Sequence, residues 1–117
     1  MNLADALAKD QGLKETFLAA IAAKTQLDAS IIGKSDRCVL GNWLHGEGER
    51  KYPFIKSFKP CTEAHAAFHA QAAKVVRQIN GGEYADAQAM LGDNSAYGKA
   101  LNALEAALLL LKKETKL

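Results

Sequence analysis

The chain has 117 residues, of which 24% are charged and 49% are hydrophobic, and its formal net charge is +2. This length suits one domain with a real hydrophobic core and excludes a catalytic domain joined to a regulatory one. The small net charge, without clustered lysine and arginine, excludes a dedicated nucleic-acid-binding face. We therefore expect a single domain over residues 1–117 that does not bind nucleic acid.

The N-terminal segment, residues 1–10, has neither the basic start nor the continuous apolar run of a signal peptide. No other stretch approaches the roughly 18 apolar residues that span a bilayer. We expect a cytoplasmic protein without a membrane segment. Its two cysteines, Cys38 and Cys61, are then expected to be thiols or metal ligands, because the cytosol keeps thiols reduced.

Alanine, leucine, lysine and glutamate dominate the sequence, which predicts an all-α domain. Apolar residues at helical spacing predict a first helix from about Gly12 to Ile32, with Lys24 on its buried stripe. Residues 33–36 break this helix. Ser35 or Asp36 can cap a short helix that carries Cys38 in its first turn.

The second half of the chain predicts three further helices. Residues 47–59 form a loop or a broken helix, and Pro60 opens a long helix that Asn80 and two glycines end. A shorter helix from about Glu83 to Leu91 and a final one from about Ser95 to Lys113 follow. The short connections predict an antiparallel four-helix bundle with an additional short helix.

Two histidines in the long helix indicate a metal site. His65 and His69 are four residues apart, so their side chains share one helical face at a separation of about 6 Å. A bare spacing of this kind is also typical of two ordinary polar residues. Cys38 is the obvious third ligand, because a helix N-terminus and neighbouring Arg37 favour the thiolate that zinc requires.

Three runs of the sequence resemble the bacterial chemoreceptor zinc-binding domain family, CZB. They are FLAAIAAK at 17–24, CVLGNWL at 38–44 and FKPCTEAHAAFH at 58–69. The resemblance covers about residues 13–113. It implies a bundle that holds one zinc with three histidines and one cysteine, and by position the matching ligands are Cys38, His65 and His69.

The resemblance puts Lys24 where the family has its first histidine. An ammonium group is a poor ligand and repels a nearby cation. His45 and Cys61 lie too far along their helices to complete the site, so water is the simplest fourth ligand. Alternatively, Lys24 replaces the metal and pairs with a Cys38 thiolate. Cys61 is read as a core residue.

The resemblance implies a cytoplasmic sensory or regulatory module that responds to zinc or to thiol oxidation, in chemotaxis or cyclic-di-GMP signalling. Its partner would be an attached or separate chemoreceptor or diguanylate cyclase, and we expect no enzymatic activity. The apolar run at residues 106–111 covers more than one face of its helix and predicts a homodimer. The alternative is a degenerate, metal-free bundle that acts as a dimerisation or protein-interaction module.

Overall fold

The computed structural model describes residues 1–117 and contains helices without any strand. The eight helices are α1 (Leu3–Gln11), α2 (Leu13–Ala23), α3 (Ala29–Ile32), α4 (Val39–Leu44), α5 (Glu47–Lys51), α6 (Phe58–Asn80), α7 (Tyr84–Ala89) and α8 (Ala96–Thr115). The all-α prediction is confirmed. The antiparallel four-helix arrangement and the single domain over residues 1–117 stay predictions.

The two longest helices, α6 and α8, form the main packed pair. The residues of α6 that belong to the apolar core recur at helical spacing and lie on one stripe: Phe58, Cys61, Phe68, Ala72, Val75, Val76 and Ile79. Leu104, Leu108 and Leu111 form the buried stripe of α8. These stripes belong to one continuous core of 20 buried residues, so the helices share a single apolar interior.

Helix α1 precedes every helix that the sequence predicted. The Asn2 side chain caps it by accepting a hydrogen bond from the Asp5 N–H at 3.0 Å. Leu3, Ala6 and Asp10 are its buried residues, and the helix packs against α4 and α8. A carboxylate therefore lies on the inward-facing side of an otherwise apolar stripe.

The single helix predicted from Gly12 to Ile32 is wrong, because the chain leaves the helix at Lys24. Lys24 has a left-handed backbone conformation with φ 55°, and the Thr25 N–H donates back to Ala20 O at 3.0 Å, which ends α2. The Asn80 side chain then accepts from Leu27 N–H and donates to Leu27 O, both at 2.8 Å. These hydrogen bonds replace the helical ones along residues 25–28, which lie outside any helix.

Lys24 is consequently exposed rather than part of a buried stripe. Its Nζ lies 5.9 Å from the centroid of the Tyr84 ring, at the distance of a cation–π contact. The proposed ion pair between Lys24 and Cys38 is not formed. The correspondence of Lys24 to the first histidine of the family pattern stays a prediction.

The remaining helix predictions agree with the structure within a few residues. The loop or broken helix at 47–59 contains α5, Gly81 and Gly82 follow the end of α6, and the Ser95 side chain caps α8. No helix is long and apolar enough to cross a bilayer. The predicted cap of α4 was wrong by two or three residues, because Cys38 itself is the N-cap.

A matched pair of leucines on α8 tests this core. Leu104→Ala should lower the free energy of unfolding by about 2–5 kcal/mol, because Leu104 is fully buried and its truncation leaves a cavity. Leu109→Ala should change it by less than about 0.5 kcal/mol, because Leu109 is 64% exposed. Urea unfolding followed by circular dichroism measures both, and equal losses would contradict this core assignment.

Candidate metal centre

Helix α6 brings His65 and His69 to one buried point. Their spacing puts the two rings on the same helical face, with centroids 4.5 Å apart. Both histidines are almost completely buried, His65 at 0% and His69 at 3% exposure. A buried histidine is costly unless its ring nitrogens are hydrogen-bonded or bound to a metal. The groups around these two rings therefore determine their chemistry.

Cys38 reaches the same point from the start of α4. As the N-cap it has an extended backbone, and its Sγ accepts a hydrogen bond from the Gly41 N–H at 3.3 Å. Gly41 is required there, because a Cβ at this position would lie 1.6 Å from the Ser35 carbonyl oxygen. The absence of a side chain lets the preceding turn fold closely over α4 and aim the sulfur at the histidines.

Asp10 completes the group from the last turn of α1. Its carboxylate is only 2% exposed, and its Oδ2 and Oδ1 lie 3.0 Å from His65 Nε2 and 3.3 Å from His69 Nε2. Cys38 Sγ lies 3.1 Å from His65 Nε2, 3.5 Å from His69 Nε2 and 3.9 Å from Asp10 Oδ2. We call these four side chains the donor cluster.

The dimensions of the donor cluster suit one small metal ion. All four potential ligand atoms lie within 4.8 Å of one another. Ligand atoms around a four-coordinate zinc, at metal distances of 2.0–2.3 Å, are separated by about 3.3–3.6 Å. The observed sulfur–nitrogen and oxygen–nitrogen distances of 3.0–3.5 Å are close to these values. The residues present therefore fit a zinc ion.

Hydrogen bonding of His69 fixes how its ring faces the cluster. His69 Nδ1 lies 2.8 Å from the Ile32 carbonyl oxygen, which can only accept, so Nδ1 carries the proton. In the neutral ring, the Nε2 lone pair then points at the Asp10 carboxylate and the Cys38 sulfur. Such converging lone pairs repel one another unless a proton or a metal ion lies between them.

Without a metal ion, protons must supply this positive charge. Burial lowers the pKa of His69, but hydrogen bonds to Asp10 and Cys38 outweigh it and raise that pKa to about 10. The pKa of His65 is also raised, because its hydrogen bonds to Asp10 and Cys38 outweigh burial. The arrangement thus favours a cation at its centre, whether bound by protons or by metal coordination.

The two acidic groups shift in the complementary direction. Burial raises the pKa of Asp10, but hydrogen bonds from His65 and His69 outweigh it and lower that pKa to about 2. Burial likewise raises the pKa of Cys38, but hydrogen bonds from the histidines and from the Gly41 N–H lower it to about 7. The carboxylate and a large share of thiolate are therefore present near neutral pH, as metal binding requires.

The structure brings together all three residues that the sequence indicated, Cys38, His65 and His69. His45 and Lys24 are exposed and lie outside the donor cluster. Cys61 is fully buried in the core, as predicted, and burial raises its pKa to about 11.

Sequence reasoning missed Asp10. The one available signal was the spacing of Leu3, Ala6 and Asp10, which puts a carboxylate on the apolar side of a short helix. No motif links Asp10 to Cys38 or to the histidines, because their proximity arises only from packing.

Residues 12–76 match the family model of the chemoreceptor zinc-binding domain, CZB. The chain belongs to the CZB family. The matched segment covers more than half of the chain and includes Cys38, His65 and His69, whereas Asp10 precedes it by two residues. The family binds zinc, and the donor cluster of this member can hold a metal ion. Neither the curated proteins nor the solved structures give a match.

Gly41 provides a test of how the site is assembled. Gly41→Ala should lower the free energy of unfolding by about 1–3 kcal/mol and weaken metal binding, because the added Cβ pushes the Ser35 turn away from α4. Gly92→Ala is the matched control, since a Cβ there meets Ala89 O at an ordinary 3.6 Å. Thermal unfolding and zinc titration measure both effects, and an unchanged Gly41→Ala variant would contradict this packing.

Proposed function

We propose that this CZB protein is a cytoplasmic sensory or regulatory module that holds one zinc ion through Asp10, Cys38, His65 and His69. The observation that carries the proposal is the convergence of these four donors, from three helices, on one buried point. Bound there, zinc would supply a redox-inert divalent charge that accepts all four lone pairs. We propose a role in chemotaxis or cyclic-di-GMP signalling, through an attached or separate chemoreceptor or diguanylate cyclase.

The charge of the donor cluster supports zinc as the ligand. Asp10 and a thiolate at Cys38 bring two negative charges, and two neutral imidazoles bring none, so a divalent cation makes the buried site neutral. An unbalanced buried charge is costly in a low-dielectric interior. One thiolate with two imidazoles is also a donor set typical of zinc.

We propose that the Cys38 thiol allows the module to respond to oxidants. It is the one partly exposed member of the donor cluster, and its lowered pKa of about 7 favours the reactive thiolate. Hydrogen peroxide can transfer one oxygen to this thiolate sulfur, forming a sulfenate while the O–O bond breaks and water is released. The oxidised sulfur is a poorer ligand, so we propose that oxidation weakens zinc binding.

Metal content tests the proposal directly. Protein purified without chelator or nickel should contain about one zinc per chain by elemental analysis. His65→Ala should lower zinc affinity at least about tenfold, because it removes one donor from a four-donor site. Competition with a fluorescent chelator measures this affinity.

His45→Ala is the matched control, since His45 is the only histidine outside the donor cluster. Lys24→His is a second control, because Lys24 is exposed and outside the cluster. Both should bind zinc like the wild type. Absence of zinc from the wild type would contradict the proposal, and tighter binding by Lys24→His would contradict the assignment of Asp10.

We also propose that the protein forms a homodimer through the outer face of α8. Leu109 and Leu110 are 64% and 52% exposed, next to the small exposed residues Ala103 and Ala106. Exposed leucines adjoining small residues allow two helices to approach closely, and burying them removes apolar surface from water. A second copy of the same face would provide a matching surface.

Substitution of one exposed leucine tests the dimer. Leu110→Glu should shift the mass from dimer to monomer in light scattering after size-exclusion chromatography, because a charge in the contact is costly to bury. Val39→Glu is the control, since Val39 is 41% exposed and lies on α4 rather than α8. A wild-type protein that is monomeric at high concentration would contradict the proposal.

A further inference from the structure

We propose that helix α1 is the metal-responsive element of this protein. Coordination of the metal by Asp10 stabilises the packing of α1 against the rest of the domain, and loss of the metal weakens this packing. The inference rests on the proposed zinc site and concerns which part of the structure changes with occupancy. It follows from the distribution of the four donors among the helices, and from the weakness of the other contacts that hold α1.

The donors are distributed unevenly along the chain. His65 and His69 belong to α6 and Cys38 is the N-cap of α4, and these two helices pack directly against each other. Asp10 is the only donor on α1. The first three ligands can therefore hold an ion whether or not α1 is docked, whereas the fourth is available only in the docked state.

Helix α1 makes few other side-chain hydrogen bonds to the rest of the chain. Beyond Asp10, its side chains make one hydrogen bond to another helix, from Gln11 to Glu105 at 3.3 Å, and this bond is exposed. Its apolar attachment consists of Leu3 and Ala6, with Leu7 partly buried. An isolated helix of nine residues is only marginally stable in water, so α1 depends on these contacts to remain helical.

We expect α1 to move relative to α2 about Gly12, whose N–H donates to Ala8 O of α1 and whose carbonyl oxygen accepts from Thr16 N–H of α2. Gly12 separates the two helices and has no side chain to pack. Glycine gains more backbone freedom than other residues when a segment opens, which makes this position a suitable hinge. Opening of α1 would also uncover Leu108, which lines a groove with Leu3 and Leu7 next to exposed Leu109.

Thermodynamic linkage then couples metal occupancy to the position of α1. If Asp10 strengthens zinc binding by a given factor, bound zinc must strengthen docking of α1 by the same factor. In the metal-free protein, the packing of Leu3 and Ala6 in the core still attaches α1 to the rest of the domain. We therefore expect α1 to open more often without metal rather than to detach permanently.

Hydrogen–deuterium exchange of the intact protein tests this coupling, with zinc content measured in the same samples. In the wild type, zinc should slow exchange of the Leu7–Gln11 amides by about tenfold or more relative to chelator-treated protein. In Asp10→Asn, an isosteric variant with a poorly ligating amide, zinc at saturating concentration should slow these amides by less than about threefold. The α6 amides around His65 and His69 should still gain protection.

Asp5→Asn is the matched control, because it makes the same change at an exposed site on the same helix and should behave like the wild type. Zinc that binds but does not slow α1 exchange, or that slows it equally in Asp10→Asn, would overturn this inference alone. Failure of the wild type to bind zinc would overturn the proposed function as well. If Asp10→Asn does not fold, the wild-type comparison of α1 with the first two turns of α8 decides. These turns lie far along the helix from Leu108, so zinc should slow exchange strongly in α1 and little in them.

Discussion

The central constraint on this structure is the burial of a carboxylate, a sulfur and two imidazoles at one point. Each of these groups would be costly to bury alone, and the two that ionise as acids would repel each other. Within the donor cluster, the atoms lie 3.0–3.9 Å apart, a spacing that requires positive charge between them. Elsewhere α1, α4 and α6 are joined by the shared apolar core rather than by polar side-chain contacts.

Common features of local structure position the donor side chains. The helical repeat of α6 aligns His65 with His69, and the extended N-cap conformation turns Cys38 toward them. The missing side chain of Gly41 allows the turn at Ser35 to approach, which keeps the sulfur at this distance. No strained backbone is needed at any donor, since the non-glycine residues with positive φ, Lys24 and Lys116, lie outside the cluster.

The sequence was sufficient for the features that depend on short-range patterns. The apolar repeat predicted α6 and α8, and the spacing of His65 and His69 predicted a shared face. It was insufficient where residues distant in sequence determine the local structure. The Asn80 side chain hydrogen-bonds to the backbone of Leu27 and contributes to ending the helix, and no periodicity in the sequence reveals this contact. Asp10 was missed for the same reason: its burial is compensated only by side chains 28 or more positions away.

A carboxylate in place of an imidazole changes the energetics of occupancy. The ligand set that the family resemblance implies, one thiolate with three imidazoles, leaves a net charge of +1 around bound zinc, whereas the donor cluster with Asp10 is neutral. A neutral occupied site is easier to bury, and the empty site, with two negative charges, is correspondingly more costly unless protons enter it. Asp10 is the member contributed by α1, so under the proposed coupling this difference between the occupied and the empty site acts on α1. In our proposal, the identity of the fourth donor and its position on α1 both make α1 the segment that the metal affects most.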